Sequence, residues 1–423
     1  MIVLCSTNDA RIKKGSVMGG VKDRMIRQES LGYSSWNDRS ICSRCVEDNA
    51  LAAVVRTNSE NAKCSFCGKR RKHVGSFDAV LERIAHALYL DYSTPENELL
   101  LDKESDTGWA GVVMDIYDVM GDIGYEASNW SVMEAIHSAF SDRQFCDRDY
   151  GIMRPTERRV YGWHRFKEAV KHQRRFTFWS MGDESNDFGH PDYMAVGETL
   201  EEIGLLVRAT DLLKEIGIGT EYWRVRVHDI DKPLRFDHEL SPPPADRTRQ
   251  PNRMSPSGIP MFYGAEDYET ACVETVDPKR AEDKAIYAGR FRTLKPLRVL
   301  DLVNLPKQPS YFDIDRRDER LAGIFLRQFV KDLAEPILRD GREHIEYVPT
   351  QAFTEYVRFQ LTGSESQAVH GIRYSSARNG RPCVVLFCSQ DQCINEPNGY
   401  DVDRWLSFDE SSLRATPASE VQV

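Results

Sequence analysis

The stretch Asn252-Arg253-Met254-Ser255-Pro256-Ser257-Gly258-Ile259-Pro260-Met261-Phe262-Tyr263-Gly264-Ala265, continuing through Glu269-Thr270-Ala271-Cys272-Val273-Glu274, decides how this chain is read. It sets an arginine in a Pro/Gly loop, then a short apolar strand ending in a tyrosine, then a helix that carries a glutamate. Arginine makes paired contacts to phosphate oxygens. A tyrosine ring stacks on a flat base. A carboxylate on the next helix stabilises positive charge as a glycosidic bond breaks, or orients the incoming nucleophile. Ala271 and Cys272 are small enough to admit a ligand beside Glu274.

Two further segments bear on the same chemistry. Tyr222 to Val227 alternates as a strand, so Arg224 and Arg226 share one face. Gly371-Ile372-Arg373-Tyr374 reads as a strand that ends in Ser375 and Ser376, whose hydroxyls suit a ribose or phosphate. By themselves these residues support a phosphate-containing ligand and nothing finer.

Outward from this block, the second half is α+β. Strands are expected at Met261–Tyr263, Ala285–Phe291, Leu297–Leu302, His370–Ser375 and Cys383–Cys388. An amphipathic helix runs through Leu321, Ile324, Phe325, Phe329 and Leu333, and another from Thr350 to Leu361. The Ser241-Pro242-Pro243-Pro244 loop excludes regular structure.

The first half has a different texture. Phe77, Val80, Leu81, Ile84 and Leu88 fall on one helical face, with Ser76 as the expected N-cap. Further helices are expected over 110–120, through Trp163, Phe166 and Val170 toward Phe176, and over 198–216 before Gly217. Residues 1–40 read as a loosely ordered start, 41–74 as a zinc ribbon and 75–217 as a helical domain. The α+β domain then takes 218–395, and 396–423 form a polar, peripheral tail.

Cys42-x2-Cys45 and Cys64-x2-Cys67 stand 18 residues apart. Two such knuckles supply four thiolates, a closed tetrahedral shell for zinc with no position left for substrate. The metal is therefore expected to be structural. The run Lys69-Arg70-Arg71-Lys72 at the ribbon's exit reads as a solvated face rather than a nucleic-acid site.

The bulk properties bound the rest. The chain has 423 residues, net charge −10, 41% hydrophobic and 29% charged residues. Two or three globular domains are expected, and the acidic balance argues weakly against a protein that coats nucleic acid along its length, while leaving room for a local basic pocket. The apolar start Met1–Cys5 is too short for a signal-peptide core, and no apolar run reaches about 18 residues. The expected location is the cytoplasm, with no membrane and with reduced thiols.

Arg159-x4-His164 has the spacing of helical RNases of the HEPN class. Arg165-x6-His172 fits as well, so the filter is loose. His164, between Trp163 and Phe166, and His86 read as structural histidines.

Residues from about 221 to 390 resemble the RES domain, named for its Arg, Glu and Ser. The matching pieces are Tyr222-Trp223-Arg224-Val225-Arg226, the Arg253–Glu274 block, Leu300-Asp301-Leu302, Glu346-Tyr347-Val348-Pro349-Thr350-Gln351 and Gly371-Ile372-Arg373-Tyr374-Ser375-Ser376. The knuckles and helices ahead of them resemble the HEPN-like N-terminal domain found fused to RES domains. This resemblance implies an ADP-ribosyltransferase-like mixed fold and an NAD-degrading toxin that cleaves the nicotinamide–ribose bond, in a toxin–antitoxin or phage-defence setting. It implies Glu274, Arg253, Tyr263 and Ser376 as catalytic residues, and Arg224, Arg226 and Ser375 as NAD contacts. Ser376 matches the family serine with Ser375 as the alternative, because this chain has Tyr374-Ser375-Ser376 where relatives often have Tyr-Pro-Ser. The acceptor is phosphate or water. The implied partners are NAD, inorganic phosphate, an antitoxin protein and a second copy of the chain. The competing readings are a non-catalytic module that binds nucleotides or partners, and a HEPN-type RNase.

Overall fold

The computed structural model describes residues 32–35, 38–181, 194–276, 284–337, 341–362, 367–396 and 403–420. Most of the segment 1–40 read as loosely ordered lies outside them. The chain divides into two compact units. One takes the chain up to Ile152 together with Pro309–Arg317; the other takes Met153–Gln308 and Asp318 onward. The stretch 75–217 expected to be one helical domain is thereby shared between the two.

In the first unit, β1 (Ser40–Cys42), β2 (Glu60–Lys63) and β3 (Arg70–Ser76) form a small antiparallel sheet with β3 at its centre. Helix Asn49–Thr57 is capped by Asp48, whose carboxylate accepts from the Ala50 and Leu51 N–H groups. Helix Phe77–Asp91 buries Phe77, Val80, Leu81, Ile84 and Leu88, the face expected from their spacing. It packs in one core with helix Trp130–Phe140 and with Phe312, which the inserted segment 309–317 contributes. A two-strand pair, β4 (Tyr92–Ser93) and β5 (Cys146–Asp147), completes the unit. The helix expected over 110–120 starts only at Ile116, because Asp115 forms a reciprocal capping box with Asp118.

The second unit is built on an eight-stranded mixed sheet. Its strands are β6 (Leu213–Ile216), β7 (Glu221–Asp229), β8 (Phe262–Ala265), β9 (Lys284–Thr293), β10 (Leu297–Asp301), β11 (Gly371–Ser375), β12 (Pro382–Leu386) and β13 (Leu406–Pro417). Their order across the sheet is β13-β9-β7-β8-β12-β11-β10-β6. Only β10 and β11 run parallel; the other neighbours are antiparallel. The period of two sorts the strand residues between cores. Val385 and Ile372 join one core with the helices Pro155–His172, Thr199–Ala209, Arg317–Ala334 and Val348–Phe359. Val384 and Leu386 join the opposite one. Gly371 is required where β11 crosses β12, since a Cβ there would run into the Val385 carbonyl.

Two expectations change in this unit. The helix expected over 198–216 ends at Ala209. Asp211 takes a left-handed φ of 51°, and Leu213–Ile216 turns outward as edge strand β6 on β10. The tail expected to be peripheral supplies the opposite edge: β13 pairs with β9 through Leu406–Asp409 and again through Arg414–Pro417, with a register shift between Asp409 and Arg414. Among the described residues no helix is long and apolar enough to cross a membrane.

Candidate active site

The Pro/Gly loop reaches β8 through Gly258, at φ +85°. Strand β8 lies between β7 and β12, with Tyr263 opposite Val385. The Tyr263 hydroxyl meets Ser255 Oγ at 2.9 Å, and burial pushes its pKa up to about 12. Tyr263 is therefore a neutral phenol at neutral pH.

Arg224 and Arg226 project from one side of β7 toward the short helix Asp237–Leu240. Arg224 Nε donates to the Leu240 carbonyl at 2.5 Å and Nη1 to the Tyr263 carbonyl at 2.8 Å. Its guanidinium lies 5.2 Å from the Phe262 ring centre. Burial lowers its pKa to about 10, with Arg226 as a further cause, and it remains a cation. Arg226 Nη2 reaches the Ser241 carbonyl at 3.4 Å.

Glu274 sits on helix Tyr268–Thr275, which Asp267 starts by accepting from the Thr270 N–H. The turn after β11 is stapled along that helix. Ser376 donates its hydroxyl to Glu274 Oε1, and Ser376 Oγ in turn accepts from the Arg378 and Asn379 N–H groups at 3.1 and 3.3 Å. Asn379 Nδ2 donates to Thr270 Oγ1 at 3.0 Å, one helical turn before Glu274. Arg378 Nη1 reaches the Val276 carbonyl at 3.3 Å. Ser376 is 4% exposed, whereas Ser375 ends β11 opposite Pro382. Of the two serines it is Ser376 that touches the carboxylate.

Tyr374 ties the pieces together. Burial holds its phenol neutral, well above the usual range. Cys383, Glu274 and Tyr263 push in the same direction, and Arg253 pushes against them.

The Arg253 side chain turns to the end of helix Arg317–Ala334. Nη1 donates to the Leu333 carbonyl and Nη2 to the Glu335 carbonyl, the latter at 2.9 Å. It lines a cavity of about 230 Å³ with Trp163, Lys167, Lys171, Asp332 and Arg342. Lys167 pairs there with Asp332 at 2.5 Å and Lys171 with Glu346 at 2.6 Å.

Tyr374, Asn379 and Ser255 escaped the sequence reading as site residues. Ser376-x2-Asn379 is the spacing of a hydroxyl-capped turn, a local signal that pointed to Asn379. His164 is exposed, because Trp163 and Phe166 take the buried face of helix Pro155–His172. Arg159 is paired with Glu202 at 2.8 Å.

The four knuckle cysteines converge in the first unit. Their sulfur atoms lie within 4.8 Å of one another, at 3.5 Å for Cys42–Cys45 and 3.9 Å for both Cys42–Cys67 and Cys64–Cys45. Ligands about 2.3 Å from one ion stand about 3.8 Å apart in a tetrahedron, so the four fit a metal without rearrangement. The Cys42 N–H points at Cys64 Sγ at 3.3 Å, and the Lys69 N–H helps lower the Cys67 thiol to about 7. Such N–H groups stabilise thiolates, the form that binds metal.

Two known domains match the chain. Residues 57–184 match the HEPN/RES N-terminal domain 1, and residues 221–408 match the RES domain. The chain carries a RES domain behind a HEPN/RES N-terminal domain. The RES match begins at the first residue of β7 and reaches into β13, so it takes in Arg224, Arg253, Tyr263, Glu274 and Ser376. No curated protein and no solved structure matches it.

Proposed function

We propose that the RES domain cleaves the nicotinamide–ribose bond of NAD and transfers the ADP-ribosyl group to phosphate or water. The observation that carries this reading is the Glu274–Ser376 contact, which joins the helix glutamate to the turn after β11. The C1′–N bond breaks with its electron pair going to the pyridinium ring, so nicotinamide leaves neutral. The anomeric carbon becomes cationic, and an oxygen of phosphate or water then bonds to it. Glu274 lowers the energy of that cation and orients the acceptor. Ser376 holds the carboxylate. Tyr263 packs against the nicotinamide, and Arg253 binds the pyrophosphate after leaving the Leu333 and Glu335 carbonyls. The four-cysteine group holds a structural zinc, which keeps the knuckles closed and takes no part in the reaction.

The test is to incubate the purified full-length chain with NAD, with and without inorganic phosphate, and to resolve the products. Nicotinamide with phosphorylated ADP-ribose marks phosphorolysis, and nicotinamide with ADP-ribose marks hydrolysis. NAD binding in calorimetry with no nicotinamide under either condition replaces this reading with that of a nucleotide-binding module. In cells, an NAD-consuming toxin predicts NAD depletion and growth arrest on expression of the wild-type chain, but not of Glu274→Gln.

A further inference from the structure

The basic run at the exit of the cysteine knuckles becomes more informative once folded. Between Lys63 and Lys72 the sequence holds five cations and no acidic residue. The fold lays them along the hairpin of β2 and β3. Lys63 stands directly opposite Arg70, and Ala62 opposite Arg71. Lys63, Lys69, Arg70 and Lys72 are exposed.

Like charges placed directly opposite each other across two strands oppose the pairing. A solvated face relieves that with interspersed carboxylates, as the second unit does. There Arg290 and Arg292 on β9 share Glu221 on β7 and Asp409 on β13. No described carboxylate pairs with any of the five ribbon cations. Arg70 spends its bonds on Asn61, and Arg71 Nε is buried with no partner. Glu60, the nearest acid along β2, stands opposite Val74. A divalent ion on four thiolates carries two net negative charges, which leaves the ribbon positive. The chain as a whole carries −10.

We propose that this ribbon binds the phosphate backbone of a nucleic acid. An extended strand sets same-face side chains such as Arg70 and Lys72 about 6.6 Å apart, a linear track of cations that suits a linear polyanion. Phe66, the aromatic ring of the second knuckle, packs on Phe77. The ribbon thus offers charge without base stacking, and recognition is independent of sequence.

The test is fluorescence anisotropy of the zinc-loaded full-length chain with a labelled mixed-sequence single-stranded RNA and with a double-stranded DNA, from 50 to 200 mM salt. Binding of at least one is expected, with affinity falling steeply with salt. The slope of log K against log salt is about −0.7 to −0.9 per phosphate contact. Lys69→Ala/Arg70→Ala/Lys72→Ala should weaken binding at least tenfold and flatten the slope by about two units, whereas Lys103→Ala changes neither. Lys69→Gln/Lys72→Gln keeps the Arg70–Asn61 bonds and should show the smaller loss of two contacts even where the triple variant does not fold. The proposal is overturned by absence of binding to both probes at 50 mM salt, or by variants that bind as wild type. Competition by polyglutamate as strong as by RNA also overturns it, because the ribbon then reads any acidic chain.

Discussion

Ser376 donates its hydroxyl to Glu274, joining the turn after β11 to helix Tyr268–Thr275 across 102 residues of sequence. The contact fixes the position of the carboxylate, and the hydroxyl brings a dipole and no charge. Glu274→Gln keeps the shape and an acceptor oxygen but removes the charge that a developing cation needs. Nicotinamide release from NAD is expected to fall by about 100-fold or more, with the melting temperature held within a few degrees. Ser376→Ala also leaves the Arg378 and Asn379 N–H groups without their acceptor, so it should cost about 1–3 kcal/mol of stability as well. Wild-type turnover in Glu274→Gln would remove Glu274 from the reaction.

Arg224 separates binding from support. Its guanidinium is committed to two carbonyls, one on β8 and one at Leu240, and lies over Phe262. Removing it leaves those carbonyls short of a donor and opens space beside the core. Arg224→Ala should destabilise the second unit by roughly 2–4 kcal/mol, read as a lower denaturant midpoint. Arg253→Ala removes a side chain at a cavity wall, and should raise the KM for NAD with a smaller loss of stability. A stable Arg224→Ala protein with a raised KM would instead make Arg224 a ligand contact.

What the sequence disclosed follows the range of the interactions. The knuckles, the alternation along β7 and the apolar face of helix Phe77–Asp91 are local patterns, and they emerge as read. Strand β6 did not, because Leu213 and Ile216 continue a helical apolar spacing, and only the left-handed Asp211 and the pairing with β10 divert them. Strand β13 was hidden for a related reason: its polar residues face solvent at a sheet edge, and its partner β9 lies far away in sequence. In the candidate site the residue types were legible and the contacts were not. Nothing local distinguishes Ser376 from Ser375 until the turn folds back on Glu274. The carbonyls that hold Arg253 are 80 and 82 residues downstream.

Metal removal should act on the first unit. The knuckle cysteines lie between β1, β2 and β3, and Cys42, Cys45 and Cys64 are buried in the core that includes Phe77 and Ile84. Without an ion, four thiols must share a space set for one tetrahedral centre. Elemental analysis of the purified chain should find one zinc per chain. A strong chelator, or Cys64→Ser, should lower the first thermal transition by several degrees. NAD turnover by the RES domain should persist in the chelated protein if the metal is structural. Immediate loss of turnover with an unchanged melting curve would assign the metal a catalytic part.

His370 predicts a pH dependence of stability. Its Nδ1 accepts from the Arg298 N–H at 3.0 Å, which requires the neutral ring, and the ring packs edge-on against Trp405. Burial lowers its pKa, and the charges of Lys295 and Arg298 lower it further against the pull of Asp403. The folded state therefore binds this proton more weakly than the unfolded chain. Its stabilising contribution is complete above the unfolded pKa of about 6.5, and is lost as pH falls below that value toward the folded pKa. His137 on helix Trp130–Phe140, buried against Tyr117, is shifted in the same direction, with burial again the main cause and Asp115 opposing it. Melting temperatures measured from pH 7.5 to pH 5.5 should fall in the wild type and fall less in His370→Asn, which keeps an acceptor but does not titrate. Parallel curves for the two proteins would show that His370 carries no part of the acid sensitivity.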